Sequence, residues 1–594
     1  MRMRKITTAR CLASALAACF VMTGCGTTGD TPGSSLLEPA TNVKIARIYT
    51  DEEIEKRINE AGAKYDGCYN EMYDFFENAR LSGATNKAAS GVRNYSCDMA
   101  AGVCEAEDSY TGPSVPYEPF VQDGNWNTES YNNIKESGFL SVSANPFSTF
   151  GADVDTATYT NLRRSIFEND GYGISDSAIR IEEMINYFHY DYEAPSGGNK
   201  FGVTTALAEC PWNKDTLLLR VGVKAEEIKP EKGSNIVFLI DTSGSMFDYD
   251  KLPLAQKAFS ILTDNLTADD TVSIVTYAGS ETVALEGAKG SDHGRIREAV
   301  EALEAWGSTN GEGGIKKAYE IAEKYFIKGG NNRIILATDG DLNVGISSEA
   351  DLISLVEEKR ETGVFLSCLG FGTGNYQDSK MEALADYGNG NYSYIDSTAE
   401  ATRVLKDEMW STLYTVAKDV KFQVEFNPAQ VKGYRLIGYE NREMAAEDFA
   451  NDKKDGGEVG SGQTVTVLYE VVPVDSKFEV AGVESRYEEN KPSLTTSAGD
   501  NEELLTVNIR YKEPDASEST LLTYPVTKDM IESEMDDDTS FAAGVAEFGM
   551  LLRKSEYSGT ASYKSIYDRL KVLPDVMDDD FKAEFLYLVK TAGK

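Results

Sequence analysis

Histidine is almost absent from this sequence: His189 and His293 are the only two among 594 residues. Histidine is the usual general base near neutral pH and the commonest nitrogen ligand of transition metals. A mechanism that needs a histidine base, or a metal site built from several histidines, is therefore nearly excluded.

Basic residues are also scarce relative to acidic ones, with 58 Lys and Arg against 97 Asp and Glu and a formal net charge of −39. Such a chain repels a phosphate backbone, so nucleic acid is not expected as a partner. A solubilising acidic surface accounts for most of this charge.

A length of 594 residues with 41% apolar residues predicts several folded domains, because one hydrophobic core does not grow to that size.

The N-terminus reads MRMRKITTARCLASALAACFVMTGCG, with four basic residues before an apolar run of about fourteen. That run is too short to span a bilayer as a helix and is typical of a secretory signal peptide. It resembles a bacterial lipoprotein signal, in which the cysteine that closes the apolar run is lipidated. Cys25 in MTGC fits this role best, and Cys19 in LAAC is the alternative. We predict a signal peptide over 1–24 and a lipid-anchored protein of the bacterial cell envelope, on the outer side of a membrane, and leave open whether this is the inner or the outer membrane.

Few cysteines remain once Cys11 and the two lipidation candidates are set aside. The remaining ones are Cys68, Cys97, Cys104, Cys210 and Cys368. An oxidising compartment allows one disulfide among the first three, and their odd number leaves at least one thiol free. Six residues separate Cys97 from Cys104 with no histidine nearby, which argues against a zinc site.

The residues that follow the signal change character several times along the chain. We predict a tether and a partly helical, partly disordered N-terminal region over 25–140, with a helix at 51–80. An N-terminal domain is expected over 141–230, and an antiparallel β-sandwich over 419–530 because its apolar residues alternate. Three C-terminal helices are expected within 531–594, at 539–554, 561–572 and 579–591.

Residues 231–418 alternate short apolar runs with amphipathic helical stretches. The runs read NIVFLID, TVSIVTYA, NRIILATDG and GVFLSCLGFG, and the helical stretch GGIKKAYEIAEKYFI places on one face Ile315, Ala318, Tyr319, Ala322 and Phe326. Nearly continuous apolar strands separated by helices predict a doubly wound, mainly parallel α/β domain with helices on both faces. Ligands of such domains bind beyond the carboxyl ends of the strands.

Polar residues from three segments are expected at that edge of the sheet: Asp241, Ser243 and Ser245 after the first strand, Thr309 in WGSTNGEGG, and Asp339 in TDGD. Hydroxyl and carboxylate oxygens without nitrogen or sulfur suit a hard divalent cation, Mg²⁺ or Mn²⁺. The sequence therefore predicts a metal site whose coordination is completed by one more anionic oxygen.

The segment DTSGS matches D-x-S-x-S and, with Thr309 and Asp339, resembles the metal-ion-dependent adhesion site of von Willebrand factor type A (VWA) domains. The resemblance implies that Ser243, Ser245 and Thr309 coordinate the metal directly, while Asp241 and Asp339 hold it chiefly through water. It also implies that an Asp or Glu of a partner protein fills the open position.

A wider resemblance extends over about residues 129–594. STFGADVDTATYTNLRR, RIEEMINYF, CPWN, GSTNGEGGI, LGFGTGNYQD and DVKFQVEFNP are similar to segments of the YfbK-type bacterial lipoproteins. That family carries a VWA domain between an N-terminal VWA-associated segment and a C-terminal extension, so the same architecture is expected here.

Other motifs carry alternative interpretations. Asp153, Asp155 and Thr156 imitate the D-x-D-x-T nucleophile loop of haloacid dehalogenase-like phosphatases, but no apolar strand precedes them. Asp341 and Asn343 in DGDLNVG imitate a calcium loop whose glycine is one residue late, and we expect them to shape the rim of the metal site instead.

The favoured interpretation is therefore metal-dependent binding of a protein ligand at the cell envelope, without catalysis. One alternative is a structural scaffold of the envelope whose metal site is idle. The other is a metal-dependent phosphatase or hydrolase acting through Asp153 and Asp155. Trp306, directly before Gly307, is either a partner contact on the rim or a core residue.

Overall fold

The computed structural model of this protein describes seven stretches of the chain. They are residues 49–65, 129–169, 175–228, 232–342, 349–481, 502–514 and 516–594. The predicted signal peptide, tether and lipidation site, Asn343, and the cysteines Cys68, Cys97 and Cys104 lie outside these stretches. Cys210 and Cys368 lie within them and are buried and free. None of the helices in the described stretches is both long and apolar enough to cross a membrane.

The described strands, in chain order, are β1 (Leu140–Ser141), β2 (Phe147–Gly151), β3 (Phe201–Glu209), β4 (Leu217–Ala225), β5 (Ser234–Asp241), β6 (Thr271–Tyr277), β7 (Glu281–Lys289), β8 (Asn331–Thr338), β9 (Phe365–Gly370), β10 (Tyr392–Tyr394), β11 (Thr415–Phe426), β12 (Val431–Ile437), β13 (Gly457–Gly460), β14 (Thr464–Pro473), β15 (Glu503–Lys512) and β16 (Thr520–Thr527).

The described helices are α1 (51–65), α2 (Ala157–Asn169), α3 (Ile181–Asn186), α4 (Leu252–Asp264), α5 (His293–Glu301), α6 (Gly311–Lys324), α7 (Glu349–Arg360), α8 (Asp378–Tyr387), α9 (Thr398–Thr402), α10 (Met409–Leu413), α11 (Asp537–Arg553), α12 (Tyr563–Leu570), α13 (Pro574–Asp578) and α14 (Asp580–Ala592). A π-helical turn, Arg403–Asp407, joins α9 to the segment before α10.

The central sheet has the strand order β10-β9-β8-β5-β6-β7 and is parallel except for β7. Its middle strand β5 is buried along its whole length, which explains its unbroken apolar sequence. Phe238 packs on one face in a core shared with α4 and α5, and Leu239 packs on the other in a core shared with α6 and α8. The predicted doubly wound α/β domain is therefore confirmed.

One residue of the predicted apolar helix face, Phe326, lies outside the helix. Phe326 is 42% exposed, whereas Ile315, Ala318, Tyr319 and Ala322 are buried. The physical reason is that α6 ends at Lys324, so the helical period no longer directs the side chain two residues later toward the sheet.

The strands outside the central sheet form a β-sandwich. One antiparallel sheet has the order β1-β12-β14-β4-β3, and the other has the order β13-β11-β15-β16 with β2 paired to β11. Phe150, Val221, Phe422 and Val467 belong to the single core between them. Segments predicted as 141–230 and 419–530 thus share one sandwich, and the central α/β domain lies between them in sequence.

A layer of helices covers the outer face of the first of these sheets. Residues of α1, α2, α3, α11, α12 and α14 form one core that also contains Leu218, Ile437 and Leu468 of that sheet. The C-terminal segment holds four helices where three were predicted, because Pro574 begins the additional short helix α13. The described part of the helix predicted at 51–80 is α1.

Buried ion pairs join the α/β domain to this helical layer. Arg163 of α2, 1% exposed, contacts Asp396 at 2.8 Å, Glu400 at 2.9 Å and Glu584 of α14 at 3.1 Å. Tyr65 of α1 donates to the same Asp396 at 2.6 Å. The start of α9 is therefore held by Arg163 and Tyr65, and Glu584 of α14 pairs with the same arginine.

Candidate metal site at the carboxyl edge of the central sheet

The loop after β5 carries three of the predicted ligands. Asp241 is fully buried, and its Oδ1 accepts a hydrogen bond from the Ser243 backbone N–H at 2.9 Å. Its Oδ2 accepts one from the Thr338 hydroxyl of β8 at 2.8 Å. The Ser243 and Ser245 hydroxyl oxygens lie 3.0 Å apart. Both serine hydroxyls therefore face one point, with the aspartate held in place by backbone and a neighbouring strand.

The loop before α6 is docked on the loop after β5. The backbone N–H of Trp306 donates to the Thr242 carbonyl at 2.7 Å, and that of Gly244 donates to the Gly307 carbonyl at 3.0 Å. Gly307 has a φ of 85°, a conformation that favours glycine. Thr309, 7% exposed, follows two residues later, just before the N-cap residue of α6. The structure therefore brings the segment with Thr309 to the same edge.

Asp339 follows β8 and is fully buried. Its Oδ1 accepts from the Asp341 backbone N–H at 3.1 Å. Its Oδ2 accepts from the Lys251 ammonium at 3.1 Å and from the Asn375 amide at 3.0 Å. The five predicted ligands therefore come from three adjoining loops of one sheet edge.

Burial and mutual repulsion raise the pKa values of two carboxyl groups at this site. Burial raises the pKa of Asp241 to about 7, and the charge of Asp339 adds to the increase. Burial and Asp339 also raise the pKa of Asp341. Asp341 Oδ1 is buried without a hydrogen-bond partner in the described stretches. Such carboxylates gain most from a cation, because an opposite charge offsets the cost of ionising them.

The donor chemistry fits a hard divalent cation. Three hydroxyls and two carboxylates supply oxygen only, which Mg²⁺ and Mn²⁺ accept. No group of three or more His, Cys, Asp or Glu side chains suited to a metal occurs in the described part of the chain. The candidate site differs from such groups because hydroxyls provide most of its oxygens.

The loop that imitates a phosphatase nucleophile loop makes structural contacts. Asp153 and Asp155 are 3% and 4% exposed. Arg442 contacts Asp153 at 3.1 Å and Asp155 at 3.5 Å, and Asp155 also accepts from the Tyr392 backbone N–H of β10 at 2.7 Å. Both carboxylates therefore join the sandwich to the α/β domain and present no free oxygen to a phosphate.

Three neighbours of the site were not predicted from the sequence. Thr338 orients Asp241, while Lys251 and Asn375 contact Asp339. Thr338 ends β8 directly before the predicted ligand Asp339, and this position could have identified it as a neighbour of the site. The lysine and the asparagine lie on separate loops, and no local spacing links them to Asp339.

Comparison with family models agrees with this geometry. The model "von Willebrand factor type A domain" matches residues 235–408, "von Willebrand factor" matches 125–220, and "Uncharacterized protein YfbK, C-terminal" matches 411–594. Together with the parallel sheet and the oxygen-rich edge, these matches define a VWA-domain protein.

Individual relatives narrow the class. Uncharacterized protein YfbK of Escherichia coli strain K12 is 41% identical over 475 residues, which are 78% of this chain and 81% of that protein. Uncharacterized protein sll0103 of Synechocystis is 29% identical over 202 residues, or 34% of this chain and 46% of that protein. A solved von Willebrand factor type A structure from Catenulispora acidiphila is 18% identical, with a TM-score of 0.36, and covers 61% of this chain and 80% of that one. The chain belongs to the YfbK family.

Proposed function

We propose that this protein is a lipid-anchored interaction module of the bacterial cell envelope that binds a protein ligand through a divalent metal ion. Ser243, Ser245 and Thr309 coordinate Mg²⁺ or Mn²⁺, and Asp241 and Asp339 hold it chiefly through water. An Asp or Glu of the partner completes the coordination. The observation that carries the proposal is the convergence of these five oxygen ligands at one edge of a VWA fold.

The chemistry of the ligand set supports binding over catalysis. Neutral hydroxyls donate little negative charge to a metal, so the ion retains a strong attraction for an anionic oxygen from outside. The buried carboxylates Asp153 and Asp155, which would serve a phosphatase, are instead paired with Arg442. A screen with p-nitrophenyl phosphate and an Asp153→Asn variant is expected to show no turnover that depends on Asp153.

Trp306 marks the part of the rim that a partner would cover. The indole is 71% exposed, while its backbone N–H is fixed to the loop after β5. Tryptophan is enriched among residues that dominate binding energies in protein interfaces. The partner is therefore expected to offer a carboxylate with an apolar side chain beside it.

Metal binding is the first test. Mg²⁺ and then Mn²⁺ are titrated by calorimetry into the full-length protein in detergent, beside Asp241→Ala and Thr309→Val. Ser308→Ala is the matched control, because it removes an exposed hydroxyl one residue from Thr309. Binding that the first two variants lose and the control keeps supports the proposal. Equal metal affinity in Asp241→Ala refutes it.

Partner binding separates the proposal from the scaffold alternative. A protein retained by the wild-type chain in Mg²⁺, and released by EDTA or by Asp241→Ala, is the expected result. A complex that forms equally in EDTA and with Asp241→Ala favours a scaffold whose metal site is idle.

The proposed anchor has its own test. Membrane fractionation and metabolic labelling with a fatty acid are compared for Cys25→Ala and Cys19→Ala. Loss of label and membrane association in Cys25→Ala alone is expected, and loss only in Cys19→Ala moves the lipidation site.

A further inference from the structure

The metal site contains a buried ammonium group that its ligand motif does not include. Lys251 is 4% exposed, and its Nζ lies 3.1 Å from Asp339 Oδ2 and 2.7 Å from Asn375 Oδ1. Asn375 also donates to Asp339 Oδ2 at 3.0 Å. The three side chains therefore form a closed triangle at one wall of the site.

The fold provides a path for this side chain. Lys251 precedes α4, and its stem passes over Gly372 in the loop after β9. A Cβ at position 372 would lie 2.3 Å from Lys251 Cγ and 2.4 Å from its Cε. Gly372 also has a φ of 79°, so both its conformation and its lack of a side chain suit the passage of the lysine.

A fixed positive charge at this place has opposite effects on the binding of the metal ion and on the binding of a carboxylate ligand. It repels an incoming metal dication and attracts an incoming carboxylate, and both effects are strong because buried charges are poorly screened. The acidic groups nearby, Asp241, Asp250, Asp339 and Asp341, would by themselves favour the metal and oppose a carboxylate ligand.

We propose that Lys251 is a specificity residue that weakens metal binding and strengthens capture of an anionic ligand by the metal-loaded site. This inference rests on the proposed function, because it presupposes that the site binds a metal. The Lys251 charge keeps the loaded site more positive by one unit, so an acidic side chain finds a net attraction there.

The test compares wild-type protein with Lys251→Met and Lys251→Arg, each as the full-length chain in detergent. Mn²⁺ affinity is measured from water-proton relaxation enhancement. Acetate is then titrated into the Mn²⁺-loaded protein, because a bound carboxylate displaces metal-bound water and lowers the enhancement. Lys251→Met keeps the stem without the charge, and Asn375 still holds Asp339 in that variant.

Lys251→Met is expected to bind Mn²⁺ about tenfold more tightly and acetate about tenfold more weakly, and Lys251→Arg is expected to stay near wild type. If Lys251 only stabilised the local structure, Lys251→Met would disorder the site and bind Mn²⁺ more weakly than the wild type. Reduced Mn²⁺ affinity in Lys251→Met, or unchanged affinity for both probes, overturns the inference. The proposed function stands in either case, provided that the wild-type protein binds Mn²⁺. Absence of Mn²⁺ binding by the wild type refutes the proposed function, and this inference with it.

Discussion

Replacing Glu182 by glutamine should make the stability of this protein less sensitive to pH. Glu182 lies in α3 and is fully buried, and neither carboxylate oxygen has a hydrogen-bond partner among the described residues. Burial raises its pKa to about 8, with repulsion from Glu440 and Asp153 adding to the increase and Arg553 opposing it. The folded protein therefore keeps this group protonated at neutral pH.

The magnitude follows from the difference between the folded and unfolded states. Below the unfolded pKa of 4.5 both states hold the proton, and the group then contributes its full share of stability. Between that value and the folded pKa of about 8 only the folded state holds it. Each pH unit in the middle of this window lowers the free energy of unfolding by about 1.4 kcal/mol, and a unit close to either pKa lowers it by less. The loss from pH 5 to pH 8 is therefore about 3–4 kcal/mol. Glutamine imitates the protonated carboxyl and cannot ionise, which removes this loss.

The assay is urea unfolding of wild type and Glu182→Gln at half-unit steps from pH 5 to pH 8. The two proteins should be similar at pH 5, and the variant should be increasingly more stable toward pH 8. Glu447→Gln is the control, because Glu447 is an exposed carboxylate and its replacement should leave the wild-type slope unchanged. A constant difference between Glu182→Gln and wild type across this range would refute the argument.

Three further substitutions test a buried ion-pair network, the packing of α1 and the exposed tryptophan on the rim of the metal site. Arg163→Met removes the cation that pairs with buried Asp396 and Glu584, while Glu400 keeps its contact with Arg403. A loss of about 3–5 kcal/mol in the free energy of unfolding is expected, against less than about 0.5 kcal/mol for the exposed Arg295→Met. Gly62→Ala places a Cβ 2.4 Å from the Tyr587 ring, and faster amide exchange over 51–65 with unchanged exchange in the central sheet is the expected result. Trp306→Ala should weaken partner binding by about 2 kcal/mol while Mn²⁺ affinity stays constant, and a parallel loss of Mn²⁺ affinity would contradict its place on the rim.

Local patterns in the sequence were sufficient to predict the central domain. The apolar run before Asp241 predicts a buried strand because a strand covered on both faces excludes water along its length. The carboxyl ends of parallel strands meet at one edge, so Asp241 and Asp339 could be placed together from strand order alone. Ser243 and Ser245 could be assigned to the same site because their spacing places them in one loop with Asp241.

Several decisive features depend on residues that are distant in the chain. Whether Trp306 is core or surface could not be predicted, because its exposure depends on how its loop docks on the loop after β5. The helical period placed Phe326 on the apolar face of the predicted helix, but the helix ends before that residue. The sandwich combines strands from both sides of the α/β domain, and alternation within each strand does not identify its neighbours.

The sequence by itself determined most of the elements that form and predicted which oxygen ligands the proposed site contains, because strand burial, helical period and ligand spacing are local properties. Only the tertiary structure decided what those ligands contact. Lys251 and Asp339 are 88 residues apart, and Arg163 and Glu584 are 421 apart. Buried charges must find partners wherever the fold brings opposite charges together, and that choice is made by packing over the whole chain.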